Sequence, residues 1–172
     1  MTKAELRQFM LAKRNSLSPH EILEKSQSIV TQIQADPLYK QAKTVALFYP
    51  MGSEINLLSL LKDDKTFVFP KVEKDGLHFY PYTKPMHWIK STFGVMEPEG
   101  HTHDIKDIDY MIAPALIISK SKYRIGYGKA YYDHYLNHHR PKHVVGVIYD
   151  FQEVDTFDID HHDERLDDVI KG

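Results

Sequence analysis

The sequence predicts an α/β fold, namely a three-layer α/β/α sandwich with a mostly parallel, Rossmann-like central sheet. Short apolar runs rich in β-branched and aromatic residues recur along the chain, and segments with helical periodicity separate them. Several of these runs are apolar without interruption, which is typical of strands buried on both faces. Such strands need helices on both sides of the sheet, and the intervening segments can supply them.

Two helices are predicted before the first strand. The first carries apolar side chains at helical spacing and places Lys3 and Arg7 one turn apart on the same side. The second begins with a capping box at Ser18 and ends near Asp36, where Pro37 follows. The two cations of the first helix therefore face in the same direction.

The strands follow, and three of them end at prolines. Strands are predicted at residues 44–49, 66–69, 77–80, 110–113 and 143–149, with a short terminal strand near Val169. A short helix is predicted at 56–61 and a longer one at 129–139. Ligands of parallel α/β sheets bind beyond the carboxyl ends of the strands. We therefore expect the loops after Pro50, Pro70 and Pro114 to line one crevice.

Length and composition predict one globular domain spanning residues 1–172. Of the 172 residues, 42% are hydrophobic and 27% are charged, which is ordinary for a folded domain. The formal net charge is −2, so the chain has no general electrostatic attraction for nucleic acid or an anionic membrane. The absence of cysteine excludes disulfides, thiolate metal sites and a cysteine nucleophile. There is no apolar leader, and we expect a cytoplasmic protein without a membrane segment.

The segment Arg-Ile-Gly-Tyr-Gly-Lys-Ala-Tyr-Tyr-Asp, residues 124–133, is the strongest functional signal. Gly126 and Gly128 let the backbone approach a ligand or adopt a positive φ, and Arg124 is a forked donor suited to phosphate oxygens. Lys129 lies at the predicted helix start, where unpaired N–H groups repel a cation unless an anion is bound. The segment therefore predicts a phosphate site, with a plain glycine turn and a solvated lysine as the alternative.

Carboxylates near the predicted strand ends are further candidates. Glu54 follows the first strand and could accept N–H groups from a heterocycle, with Tyr49 and Met51 in apolar contact. The residues alone favour the alternative, a solvated loop glutamate, because carboxylates at strand ends are commonplace. Asp133 could pair with Lys129 one helical turn away, or it could hold Mg²⁺ beside a phosphate. A second magnesium ligand could come from the acidic segment 158–164, which is more typical of a solvated turn than of a zinc site.

Taken in order, these segments resemble the 5-formyltetrahydrofolate cyclo-ligase family, and the resemblance extends along nearly the entire chain. The matching parts are residues 3–7, 49–54, 93–98, 124–133 and Asp163. The resemblance implies ATP- and Mg²⁺-dependent conversion of 5-formyltetrahydrofolate to 5,10-methenyltetrahydrofolate, with release of ADP and phosphate. It also implies small-molecule partners only, in a monomeric protein. Ala130 departs from the family, which usually has glycine there, and Lys129 replaces a glycine seen in many members.

The resemblance also implies roles for individual residues. The ATP-binding residues would be Lys3, Arg7, Arg124, Ile125, Gly126, Tyr127, Gly128, Lys129, Ala130, Tyr131 and Tyr132. The folate-binding residues would be Tyr49, Met51, Glu54, Tyr127, Gly128, Lys129, Ala130 and Tyr131. Asp133 and Asp163 would hold magnesium, while Lys129 and Arg124 would stabilise the charge of the transferring phosphoryl group.

Two other functions remain open at this level. A ligand-binding module without catalysis could use the same loop to hold a phosphorylated metabolite. A sugar-phosphate isomerase or an enzyme that handles acyl-CoA could use a similar sheet, because the fold does not determine the chemistry. An isomerase of that kind should need no ATP.

Overall fold

The central element is a six-stranded sheet in which five strands are parallel and one edge strand is antiparallel. The structure is a computed structural model that describes residues 1–84, 88–92, 94–99 and 103–172. Phe93, the first residue of the 93–98 match, lies outside these ranges. The mixed α/β architecture confirms the predicted fold class.

Within the described ranges, three helices precede the first strand, and a run of seven strands separates the first 3₁₀ helix from the last α-helix. The helices are α1 (Lys3–Asn15), α2 (Pro19–Ala35), α3 (Pro37–Gln41) and α4 (Tyr131–His138), with 3₁₀ helices at Leu58–Lys62 and Asp150–Gln152. The strands are β1 (Thr44–Ala46), β2 (Thr66–Glu73), β3 (Gly76–Pro81), β4 (Trp88–Lys90), β5 (Met96–Pro98), β6 (Tyr110–Pro114), β7 (Ile117–Ser119), β8 (Arg124–Ile125), β9 (His143–Ile148), β10 (Glu153–Val154) and β11 (Asp168–Lys171).

The strand order of the central sheet is β11-β9-β6-β1-β2-β3. The chain starts in the middle of this sheet, winds outward through β2 to β3, and then returns to β6 and winds outward in the other direction. This is the order of a doubly wound dinucleotide-binding sheet, except that β3 is antiparallel to its neighbour. The order reverses between β1 and β6, so a ligand crevice is expected beyond their carboxyl ends.

Both faces of the sheet are covered by helices. Successive strand residues point to opposite faces, so that Val45 packs in one cluster with Ile33 of α2, while Ala46 packs in another with Leu136 of α4. Helix α1 lies outside these layers, and its Met10 packs against the β7–β8 hairpin. Among the described residues, no helix combines the length and the apolar character needed to span a bilayer.

The helix boundaries follow from local capping. The capping box predicted at Ser18 is present: its hydroxyl accepts the N–H of Glu21 at 3.1 Å, and the Glu21 carboxylate accepts the Ser18 N–H at 2.9 Å. Thr2 and Glu5 form the same arrangement at the start of α1. The predicted helix at 56–61 is instead a 3₁₀ helix, shifted toward the carboxyl end.

Two strand predictions were wrong at their ends. The strand predicted at 44–49 is shorter, because β1 pairs with its neighbours only through Ala46. The strand predicted to stop at Pro70 continues to the end of β2. Pro70 lies beyond Val68, where the pairing with β1 ends, so its missing N–H costs no bond to β1.

The helix predicted at 129–139 begins two residues later, at Tyr131, and ends at His138. Gly128 has φ +102° and Ala130 has φ +54°, and neither value is compatible with a right-handed helix. Lys129 therefore precedes the N-cap residue and does not belong to the first turn.

Candidate active site

A cavity of about 520 Å³ opens at the carboxyl ends of β1, β2 and β6. Phe48, Val72 and Pro114 line it, and each lies at or just past the end of one of these strands. The cavity therefore lies where the strand order reverses, as the doubly wound topology predicts.

The cavity also gathers every residue that the sequence analysis assigned to the site. These residues are Lys3, Arg7, Tyr49, Met51, Glu54, Arg124, Ile125, Gly126, Tyr127, Gly128, Lys129, Ala130, Tyr131, Tyr132, Asp133 and Asp163. They come from four separate parts of the chain: helix α1, the loop after β1, the 124–133 segment and the acidic turn before β11. The fold brings these segments together, and the individual roles stay predictions.

The glycines of the 124–133 segment have different reasons to be glycine. A Cβ on Gly126 would lie 2.5 Å from a terminal nitrogen of Arg124, so the arginine can fold over the backbone only because no side chain is present. Gly128 has φ +102°, a value that residues with a Cβ rarely adopt. Ala130 also adopts the left-handed region, at φ +54°, and gives its helix no side-chain cap.

Replacing Ala130 by glycine should raise the free energy of unfolding by about 1 kcal/mol, because a left-handed conformation costs an L-residue about that much. Glycine is also the better N-cap residue. Urea unfolding measures the change. The matched control is Ala12→Gly, at an exposed position in the last turn of α1, which should lower stability because glycine is the poorer helix former. Equal losses in both variants would contradict the strain assigned to Ala130.

Arg124, at the start of this segment, is buried, with 8% of its surface exposed. Its Nε donates to the carbonyl oxygen of Pro114 at 2.9 Å, and its guanidinium carbon lies 5.1 Å from the centre of the Tyr132 ring. These contacts fix a buried cation at the cavity wall. Lys129, in contrast, is exposed at the cavity edge. One cation is thus held in place and the other is accessible to solvent.

Helix α1 places its cations along the same cavity. Arg7 Nε donates to the carbonyl oxygen of Gly126 at 3.0 Å, so the helix is tied directly to the glycine segment. Lys3 Nζ lies 3.3 Å from carboxylate oxygens of both Asp160 and Asp163. Burial lowers the pKa of Lys3, but the two carboxylates outweigh this effect and raise it overall. The predicted common side of Lys3 and Arg7 is therefore the side that faces the cavity.

The acidic end of the cavity contains both predicted magnesium ligands. Asp133, on the first turn of α4, is 8% exposed and accepts the Glu164 N–H at 3.1 Å. Burial raises the pKa of its carboxyl group, and the nearby Arg124 opposes that shift. Asp163 groups with Asp160 and His162, whose potential ligand atoms all lie within 4.8 Å of one another.

Glu54 is buried in the cavity wall with 7% exposure, so the alternative of a solvated loop glutamate is wrong. One carboxylate oxygen accepts the Met51 N–H at 2.7 Å, and the other accepts the Tyr127 hydroxyl at 3.2 Å. Burial raises the pKa of Glu54 overall. The Met51 N–H, Arg14, the Tyr127 hydroxyl and Arg124 each lower it, but burial has the larger effect. The carboxylate therefore lies in a site of low polarity with specific partners.

Sequence reasoning missed two buried charged residues, Glu97 in the wall of this cavity and Arg14 outside it. Glu97 is 8% exposed and accepts the Val72 N–H at 2.8 Å. It belongs to the matched 93–98 segment, and that match was the available signal. Arg14 is 3% exposed on α1, in line with Lys3 and Arg7 at helical spacing. A charged residue in a helical register with two predicted ligand contacts could have been recognised from the sequence.

The aromatic residues divide between core and cavity. Tyr135 is 2% exposed and belongs to the core, whereas Tyr131 and Tyr132 are half-buried and line the cavity. Trp88 packs between Tyr49 and Phe69, with ring centres 4.9 Å and 5.0 Å away. Tyr49 therefore packs against Trp88 and also lines the cavity.

Comparison with known proteins places this chain in a family. The model of the 5-formyltetrahydrofolate cyclo-ligase family matches residues 1–172. The 5-formyltetrahydrofolate cyclo-ligase of Mycoplasma genitalium is 33% identical over 176 residues, which cover 98% of this chain and 96% of the relative. That of Mycoplasma pneumoniae is 32% identical, with 99% of this chain and 98% of the relative covered.

Solved structures agree with this assignment. The 5,10-methenyltetrahydrofolate synthetase of Aquifex aeolicus, determined by NMR, has a TM-score of 0.87 and 31% identity, covering 99% of this chain and 90% of the other. The enzyme of the same name from Mycoplasma pneumoniae has a TM-score of 0.78 and 29% identity, covering 99% and 98%. The chain described here is therefore an enzyme that belongs to the 5-formyltetrahydrofolate cyclo-ligase family.

Proposed function

We propose that this enzyme converts 5-formyltetrahydrofolate to 5,10-methenyltetrahydrofolate at the expense of ATP, with Mg²⁺ as the metal. The observation that carries the proposal is that one cavity contains the segments matched to ATP, to folate and to the metal. Membership of the cyclo-ligase family supplies the reaction class. The cytoplasmic location and the monomeric state stay predictions.

In the proposed reaction, the formyl oxygen of the substrate attacks the γ-phosphate and ADP leaves. N10 of the folate then attacks the activated formyl carbon and releases its proton, and phosphate departs with the former formyl oxygen. Phosphoryl transfer asks a protein mainly for positioning and for charge stabilisation. Arg124, Arg7 and Lys129 supply the cations at the glycine segment, and Glu54 supplies an acceptor for the N–H groups of the folate ring system.

The acidic end of the cavity fits a magnesium ion by its donor chemistry. Asp133, Asp160 and Asp163 offer carboxylate oxygens, which are the ligands that Mg²⁺ prefers beside substrate phosphates. When bound, Mg²⁺ would neutralise part of the phosphate charge. Lys3 lies against two of these carboxylates and can contact the same phosphates from the helix side.

The assignment is tested by supplying the purified protein with 5-formyltetrahydrofolate, ATP and Mg²⁺. We expect the absorbance of methenyltetrahydrofolate to grow together with the release of ADP. Folded protein that yields no product would contradict the assignment. Binding of both ligands without turnover would favour the non-catalytic module, and turnover of a phosphorylated sugar without ATP would favour the isomerase.

Replacing Asp133 by asparagine should raise the Mg²⁺ concentration needed for half-maximal rate, by about 10-fold or more, because one hard anionic ligand is lost. Asparagine retains an oxygen that can accept the Glu164 N–H, so the local fold should persist. The measurement is the initial rate as a function of Mg²⁺. Asp155→Asn, at an exposed carboxylate outside the cavity, is the control. An identical titration in Asp133→Asn would identify a plain structural carboxylate.

A further inference from the structure

Behind the folate end of the cavity, Glu54 and Arg14 are buried beside the same small space, and the family resemblance assigned no role to Arg14. Arg14 is 3% exposed and Glu54 is 7% exposed, on two elements that are separate in sequence. A buried carboxylate in an apolar wall tends to take up a proton unless a cation lies near it. The position of Arg14 therefore bears directly on the charge of Glu54.

Arg14 is fixed by contacts on several sides. Its Nε donates to the Ser53 hydroxyl at 2.9 Å, and that hydroxyl donates to the side-chain oxygen of Asn15 at 2.6 Å. The guanidinium carbon lies 5.8 Å from the centre of the Tyr127 ring, whose hydroxyl bonds to Glu54. Arg14 thus contacts the residue before Glu54 in sequence and the aromatic ring that holds Glu54 in place.

The side chains of Arg14 and Glu54 are closely surrounded by other protein atoms. Arg14 and Glu54 both line a small second cavity of about 10 Å³, together with Tyr149 and Gln152. A space of this size holds about one water molecule. Bulk solvent is therefore excluded there, and the attraction between the charges is screened less than at the surface.

The other ionisable groups that face Glu54 do not replace Arg14. They come from four elements, namely Arg124 on β8, Tyr127 in the following loop, Tyr132 on α4 and Tyr149 after β9. Arg124 donates a hydrogen bond to the Pro114 carbonyl oxygen and also interacts electrostatically with Asp133, so Glu54 is not the only carboxylate that its charge stabilises. Among the charged groups that oppose protonation of Glu54, Arg14 has the larger effect.

We propose that Arg14 is a positioning residue that holds the loop of Glu54 and opposes protonation of its carboxylate, so that Glu54 can receive the folate ring system. This inference rests on the proposed function for its ligand, but the charge relationship itself is a property of the free protein. Arg14 acts through Glu54 and does not contact the substrate. Its loss should therefore alter the pH dependence of substrate use rather than phosphoryl transfer.

The test compares Arg14→Gln, Arg14→Met and Arg14→Lys with the parent protein. Carbon NMR follows the titration of the Glu54 carboxyl group, assigned by its loss in Glu54→Gln. We expect the pKa of Glu54 to rise when the cation is removed and to return toward the parent value in Arg14→Lys. Arg14→Met supplies the same measurement if Arg14→Gln does not fold, since an apolar side chain suits a buried site.

Lys13→Gln is the matched control, since it removes one positive charge from the adjacent, exposed position of the same helix. It should leave the Glu54 titration unchanged. An unchanged titration in any folded variant that lacks the Arg14 cation overturns the proposal. Because this measurement needs no substrate, it stands even if the cyclisation assay is negative.

If the cyclisation assay succeeds, the acid limb of kcat/KM for 5-formyltetrahydrofolate should move upward by the same amount as the Glu54 pKa. The reason is that ionised Glu54 is lost as the pH falls through its pKa. A loss of activity that is equal at every pH, with an unmoved acid limb, would show a purely structural role and would also overturn the proposal.

Discussion

Replacing Lys129 by alanine is expected to lower kcat by about 100-fold, because the positive charge proposed to stabilise the transferring phosphoryl group would be lost. Lys129 lies between Gly128 and Ala130, both in left-handed conformations, and precedes the helix at the cavity edge. The side chain is exposed and lies outside the hydrophobic core, so its removal should leave the fold intact. Single-turnover and steady-state rates at saturating ATP and folate measure the effect.

The matched control is Lys120→Ala, which removes an exposed lysine from outside the cavity and should leave kcat unchanged. An unaltered kcat in Lys129→Ala would reject a role in the transition state. A rise in the KM for ATP with kcat intact would instead show that Lys129 binds ATP equally in the ground state and the transition state. Lys129→Arg should recover part of the rate, because the charge is retained.

Replacing Glu54 by glutamine is expected to lower kcat/KM for 5-formyltetrahydrofolate by about 10- to 100-fold, the range that corresponds to losing a buried hydrogen bond to a charged group. Glutamine retains an oxygen for the Met51 N–H, so the loop after β1 should keep its position. The KM for ATP should change little. Steady-state kinetics with each substrate varied in turn separate the two effects, and an unchanged KM for the folate would contradict the assigned contact.

The same substitution should stabilise the protein at neutral and alkaline pH. Burial raises the pKa of Glu54 above its ordinary value of 4.5, so the folded state favours the neutral carboxyl group. The associated stability is fully present below pH 4.5 and is lost as the pH rises through the raised pKa. Glutamine is neutral at every pH, so its advantage in urea unfolding should grow as the pH rises above 4.5. A constant difference between pH 4 and pH 8 would argue against this linkage.

The two functional predictions depend on the sequence to different degrees. Lys129 was recognised because a cation that follows two glycines at a predicted helix start is electrostatically unusual. In the structure the helix starts at Tyr131, two residues after Lys129. The repulsion between Lys129 and the N–H groups of the helix N-terminus is therefore weaker than the sequence suggested. What remains is a lysine at the cavity edge beside a backbone shaped by Gly128. The reason for testing it is now its place in the cavity.

Glu54 shows the opposite case. A carboxylate after a strand is commonplace, and the sequence alone favoured a solvated side chain. Its burial results from contacts with residues distant in the chain, namely the Tyr127 hydroxyl and the neighbourhood of Arg14. No local pattern encodes those contacts, because they exist only after α1 and the 124–133 segment pack against the loop after β1.

Local signals determined which elements form. Apolar runs identified the strands of the central sheet, and the capping box at Ser18 and the proline at position 37 marked the boundaries of α2, because these features act through neighbouring residues. Strand ends were less accurate, as at Pro70, because a strand continues or stops according to whether a partner strand lies alongside. The order of motifs along the chain was sufficient to indicate the family.

Only the tertiary structure decided how these parts meet. It placed the reversal of strand order between β1 and β6, and so gathered Lys3, Glu54, Lys129 and Asp163 around one cavity. It also set the burial that shifts the pKa values of Glu54 and Asp133. The physical reason is that hydrophobic periodicity and capping are short-range, whereas desolvation and charge pairing depend on residues brought together by packing.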